Sequence, residues 1–137
     1  MRKVSVLIGI CVVVALALTV VAQQTPDLSP IMKDVGATAG TLRKNLDAKS
    51  AADAQKDAEK LQTLFTQAEG FFKAMKAQDA VDTVKANAGL AADVAKAVKA
   101  NDFDAAGKSA GALQKTCKAC HDVHCEQLPD KTFKFKS

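Results

Sequence analysis

The sequence predicts an all-α chain, an antiparallel up-down-up-down four-helix bundle. Three observations carry that expectation. Four segments of roughly 20 residues repeat apolar side chains at spacings of three and four, the period of a helix that buries one face. Three of their starts carry helix-initiating residues: Ser29-Pro30, Ser50 with Asp53, and Asp102. The connections between them are short, which forces neighbouring helices to run antiparallel.

Residues 1–22 stand apart from this pattern. Met1-Arg2-Lys3 is basic, Val4 to Val21 is almost unbroken apolar sequence, and Val20-Val21-Ala22 ends on a small residue. This is a secretory signal cut before Gln23, leaving residues 23–137 as one domain. The apolar run is long for a signal core, so an uncleaved membrane anchor is the competing reading, and membrane attachment follows only from that one. Cys11 lies inside the run behind Ile10 and belongs to the signal. The remaining chain is weakly basic. No Lys/Arg cluster alternates with aromatics, so composition argues against a nucleic-acid partner.

Helix one is expected from the Ser29-Pro30 start to about Asp47, with Ile31, Val35, Ala39, Leu42 and Leu46 as its apolar stripe. Met32, Gly36 and Gly40 form a second stripe beside it. Each Gly costs about 1 kcal/mol against Ala in a helix interior. Close approach of a flat macrocycle or of a neighbouring helix explains the pair, and simple tolerance is the alternative. Ser50-Ala51-Ala52-Asp53 resembles a capping box and opens helix two, which runs to about Lys76. Its buried face reads Ala54, Ala58, Leu61, Leu64, Phe65, Ala68, Phe72 and Met75. Gln78-Asp79 breaks the run.

Helix three, from about Ala80 to Ala100, buries Val81, Val84, Ala88, Ala91, Ala95 and Val98. Asp102 caps helix four, which runs from Phe103 to about Glu126 and buries Ala106, Ala110, Leu113, Cys117 and Cys120. Leu128-Pro129 ends it. The tail alternates Lys with Phe133 and Phe135 and is expected to fold back on a helix end without a function of its own. The chain has no Trp or Tyr and is rich in Ala, which gives thin helices and a poor core.

The chemistry sits on helix four, in Cys117-Lys118-Ala119-Cys120-His121. C-x-x-C-H is the attachment signature of c-type haem. Both thiols add to the porphyrin vinyl groups as thioethers, and the imidazole becomes an axial iron ligand. Positions i, i+3 and i+4 share one helix face, so all three side chains present together. One covalently bound haem c, with its iron, would also supply the apolar bulk that the Ala-rich helices lack. Export agrees with this chemistry, because such haem is attached outside the cytoplasm.

A zinc site built from Cys117, Cys120, His124 and Cys125 is the competing reading. Structural zinc more often gathers ligand pairs from separated loops. A thioredoxin-like redox pair needs a preceding strand, and none is indicated. With Cys117 and Cys120 consumed, Cys125 is left unpaired, suited to an intermolecular disulfide or to a small half-buried position. His124 reads as a partly exposed helix-end histidine, since one helix face cannot bring two imidazoles to one iron.

In an up-down bundle the start of helix one, the end of helix two and the end of helix four share one end. Met32 then faces His121 across the haem and is the expected sixth ligand. Met75 reaches the same end as its competitor, and Phe71, Phe72, Val81 and Val84 line the pocket.

C-x-x-C-H near the end of the last of four helices resembles the class II c-type cytochromes, the cytochrome c′ family. Met32-Lys33-Asp34-Val35-Gly36 is similar to the M-K-x-x-G segment of the family's low-spin branch, so the resemblance implies His121/Met32 ligation and electron transfer in the periplasm. Where that family often carries Arg four residues before the Met, to pair a haem propionate, this chain has Leu28, with Lys33 or Lys85 as substitutes. Its usual basic residue after the haem motif is replaced by Cys125.

Three functions follow. Electron transfer leads, because Met and His hold iron low-spin in both oxidation states and raise its potential. Redox partner proteins would dock at the haem end, near Lys108, Lys115, Lys118, Lys131 and Lys134, and a homodimer is compatible with the sequence. Five-coordinate iron binding nitric oxide or carbon monoxide is the second, and the zinc-holding bundle the third. No distal Arg/His pair indicates a peroxidase, so no enzyme activity is expected.

Overall fold

A computed structural model describes residues 27–136. The expected signal, residues 1–22, lies outside them. Four helices are packed together: α1 (Leu28–Asp47), α2 (Ala51–Ala74), α3 (Gln78–Lys99) and α4 (Phe103–His124). Two short strands follow, β1 (Cys125–Gln127) and β2 (Phe133–Phe135). Among the described residues no helix is long and apolar enough to cross a membrane.

The three interhelical turns repeat one device. Lys49, Lys76 and Asn101 each take a left-handed conformation, with φ of 53°, 57° and 56°. In each turn that residue's N–H reaches back three residues, to Leu46, Lys73 and Val98. The next N–H reaches back five, from Ser50 to Asn45, from Ala77 to Phe72 and from Asp102 to Ala97. This paired closure satisfies the last carbonyls of the finishing helix, and the second donor is already the N-cap of the next. The turn at Lys76 explains two shifted boundaries. The sequence carried α2 through Lys76 and began α3 at Ala80. Instead α2 ends at Ala74 and α3 begins at Gln78, because Lys76 reverses the chain without any Gly or Pro to mark it.

Other starts differ less. Asp102 caps α4 as expected, accepting from the Ala105 N–H at 2.9 Å. α1 is capped by Asp27 instead of Ser29, its carboxylate accepting from the Ser29 N–H at 3.0 Å. Ser50 does stand at the N-cap of α2, but its hydroxyl bonds the Asp53 carboxylate at 3.0 Å and not the backbone.

The core lies mainly between α2 and α3, where Leu61, Phe65, Val81, Val94 and Val98 are fully buried. Each such side chain contributes roughly 1.5–3 kcal/mol by leaving water. The apolar face expected for α2 is buried from Ala54 to Phe72, whereas Met75 is 41% exposed. On α3, Ala88 and Ala95 are only half-buried, and Asn87 takes an interior position the sequence did not suggest. α4 fully buries only Ala106 and Leu113. Successive helices pack closely along the chain, but α1 and α4 meet sparsely. Gly36 and Gly40 are exposed, and a Cβ at either would meet nothing within 4 Å, so no neighbouring helix accounts for them.

α4 stops at His124, two residues short of the expected Glu126, because Cys125 turns extended (φ −119°, ψ 145°). From there β1 pairs antiparallel with β2, Cys125 opposite Phe135 and Gln127 opposite Phe133. Leu128 closes the loop by donating to the Thr132 carbonyl at 2.8 Å, and Lys131 takes φ 66°. The tail therefore folds back on a helix end, as a hairpin.

Candidate functional site

The last two turns of α4 carry Cys117, Cys120 and His121, all half-buried on one continuous helix. At 3.6 residues per turn, Cys120 lies about 60° to one side of Cys117 and His121 about 40° to the other. Their surroundings differ accordingly. Cys117 faces α3, where the Asn87 side-chain amide donates to its sulfur at 3.8 Å. Cys120 lines an open cleft of about 280 Å³ with Asp79, Thr83 and Thr116 from α3 and α4. His121 lines a second open cleft, about 490 Å³, with Lys118, Cys125 and Phe133. The His121 and Phe133 rings lie 4.9 Å apart.

All three cysteines of the described residues are free. Burial pushes the Cys117 thiol up. Cys120 is pushed up to about 11, first by burial and then by Cys125, Cys117 and Asp79. Two half-buried thiols followed by an imidazole on one helical arc are the donor set that covalent haem takes. Among the described residues no three His, Cys, Asp or Glu side chains gather as a metal-ligand set.

His124 belongs to the fold more than to its surface. Its Nε2 lies 2.9 Å from Asp79 Oδ2, and its side chain is 18% exposed. Its ring stacks on Phe135 at 5.7 Å and 19°. Phe135 in turn packs on Phe72 at 5.2 Å and edge-on to Phe71 at 6.2 Å. One aromatic side chain thus ties the end of α2 to the end of α4, and Asp79 adds the start of α3. Phe72, Val81 and Val84 are buried in the common core, and Phe71 is half-buried against it. Cys125 is half-buried as expected, its thiol raised by burial against the pull of Lys136.

Met32 is half-buried, packed against the core from the first turns of α1. Met75 stands at the C-cap of α2. Lys85 is engaged with Glu69 at 3.7 Å, and Lys33 is exposed. Lys118 bonds Asp122 at 2.6 Å one turn along, while Lys108, Lys115, Lys131 and Lys134 are exposed.

Asp79, Asn87, Phe133 and Phe135 are the site residues that the sequence did not identify. The alternation of Phe133 and Phe135 was the available signal: both point to one strand face, opposite His121 and His124 one helical turn apart. No protein-family model matches this chain, and no curated protein or solved structure does.

Proposed function

We propose that the chain is an exported electron-transfer cytochrome of the class II c-type kind, its helices an antiparallel up-down-up-down bundle. The observation that carries the reading is Cys117-Lys118-Ala119-Cys120-His121 in the final turns of α4, two free thiols and an imidazole on one arc. Haem c, when bound, supplies a one-electron iron couple. Cys117 and Cys120 would tether it, and His121 and Met32 would supply its iron ligands. The links from Phe135 to Phe71, Phe72 and His124 support the alternating helix directions, since they join the ends of α2 and α4.

The haem would sit at the end of α4, where Cys117 and Cys120 turn toward α3 and His121 lines the open cleft beside the hairpin. Gly36, exposed one turn on from Met32, would leave room for the macrocycle beside α1. Phe72 forms the apolar floor at that end. Residues 1–22 direct the chain to the periplasm, and acidic redox proteins dock at the end that carries His121.

The test is the absorption spectrum of the exported protein, oxidised and reduced, with and without carbon monoxide, beside denaturing electrophoresis stained for haem. Covalent haem that is low-spin in both states and slow to take up the gas is expected. Stoichiometric zinc without haem would sink the reading. A ferrous form already high-spin would remove Met32 as ligand and make gas binding the function.

A further inference from the structure

Asn87 is one of two buried polar side chains among the described residues, 2% exposed on the face that α3 turns to α4. An amide left unpaired in an apolar seam is destabilising, and Asn forms helix less well than Ala or Leu. Both ends of this amide are paired. Its oxygen accepts from the Thr116 hydroxyl, which it shares with the Leu113 carbonyl at 2.8 Å, and its nitrogen donates to the Cys117 sulfur at 3.8 Å. The two partners are consecutive residues of α4, and the second is the first thiol of C-x-x-C-H. An apolar side chain such as Leu or Val could also occupy the seam. What only the amide adds is direction, which fixes one register between two Ala-rich helices that could otherwise slide.

We propose that Asn87 is the positioning residue of the haem-bearing turn, locking α4 to α3 at Thr116 and holding the Cys117 sulfur through an N–H···S bond. The inference rests on Cys117 being a haem attachment site. In thioether formation the S–H adds across the vinyl double bond: sulfur bonds one carbon, hydrogen the other, and nothing is oxidised or reduced overall. The thioether sulfur keeps its lone pairs, so the same amide donates before and after attachment. Asn87 thereby fixes where helix four presents the macrocycle, without touching the iron.

The test compares exported wild type with Asn87→Leu, Asn87→Ala and Thr116→Val. Both Asn87 variants should keep covalent haem on denaturing gels, yet shift the haem-methyl proton resonances and the reduction potential. Amide hydrogen exchange across residues 116–121 should quicken about tenfold, the scale of one lost buried hydrogen bond. Thr116→Val should quicken exchange but leave the haem resonances near wild type, since the donor to sulfur remains. Asn87 variants with wild-type resonances and exchange would overturn the proposal while leaving the cytochrome reading intact. So would a Thr116→Val spectrum shifted as far as that of Asn87→Leu. Wild type without haem would overturn both.

Discussion

Replacing Phe135 with Ala tests whether the C-terminal hairpin is part of the fold. Phe135 is half-buried and meets three rings, Phe71, Phe72 and His124, at 6.2, 5.2 and 5.7 Å. Truncating a fully buried Phe costs about 3–5 kcal/mol, so half that burial sets a base of about 2 kcal/mol. Loss of the ring-to-ring geometry adds roughly 0.5–1 kcal/mol. The expected destabilisation is therefore about 2–3 kcal/mol, or a melting point lowered by about 10 °C. Urea unfolding followed by far-ultraviolet circular dichroism measures it, with an unchanged slope marking a change in stability alone. Phe133→Ala is the internal control: Phe133 is 46% exposed and should cost less than about 1 kcal/mol. A Phe135→Ala loss below about 0.5 kcal/mol, or one no larger than for Phe133→Ala, would refute the packing argument.

On the cytochrome proposal, Met32→Ala should turn the iron high-spin, speed carbon monoxide uptake and lower the potential, while Met75→Ala should do none of these; optical spectra and potentiometry decide. Lys76→Gly and Lys49→Gly should each stabilise by about 0.5 kcal/mol, because Gly accepts the left-handed conformation that a Cβ penalises, and denaturant midpoints read the gain. Hydrogen bonding from Lys73 at 2.5 Å, aided by Lys85, holds the Glu69 carboxyl below its usual range. Its folded pKa is thus below its unfolded one, so its stabilisation is present above the unfolded value and fades as pH falls through the folded value. Lys73→Ala should flatten that part of a stability-against-pH curve. Protein made without haem should keep most of its helix content and melt lower and less sharply than the haem-bearing form, since Ala-rich faces offset little chain entropy; equal calorimetric transitions would show that haem is no part of the core.

Helix number, most of the helix faces and the shared arc of Cys117, Cys120 and His121 were legible in the sequence because each depends on spacing within a few turns. The stripes from Ala54 to Phe72 and from Val81 to Val98 repeat at the helical period, and Cys117, Cys120 and His121 are neighbours on one arc whatever surrounds them. Helix ends were less legible. Lys76 carries no turn signature, and only the carbonyls waiting at Phe72 and Lys73 make its left-handed turn favourable. The hairpin has three residues per strand, too few for alternation to stand out, and it forms because Phe135 finds the rings of Phe71 and Phe72 across the bundle. Asn87 looked like a helix position of no consequence until α4 set Thr116 and Cys117 against it, 29 and 30 residues along the chain. Local periodicity determines which residues share a face, but the partner of a buried polar group is chosen only when two distant faces meet.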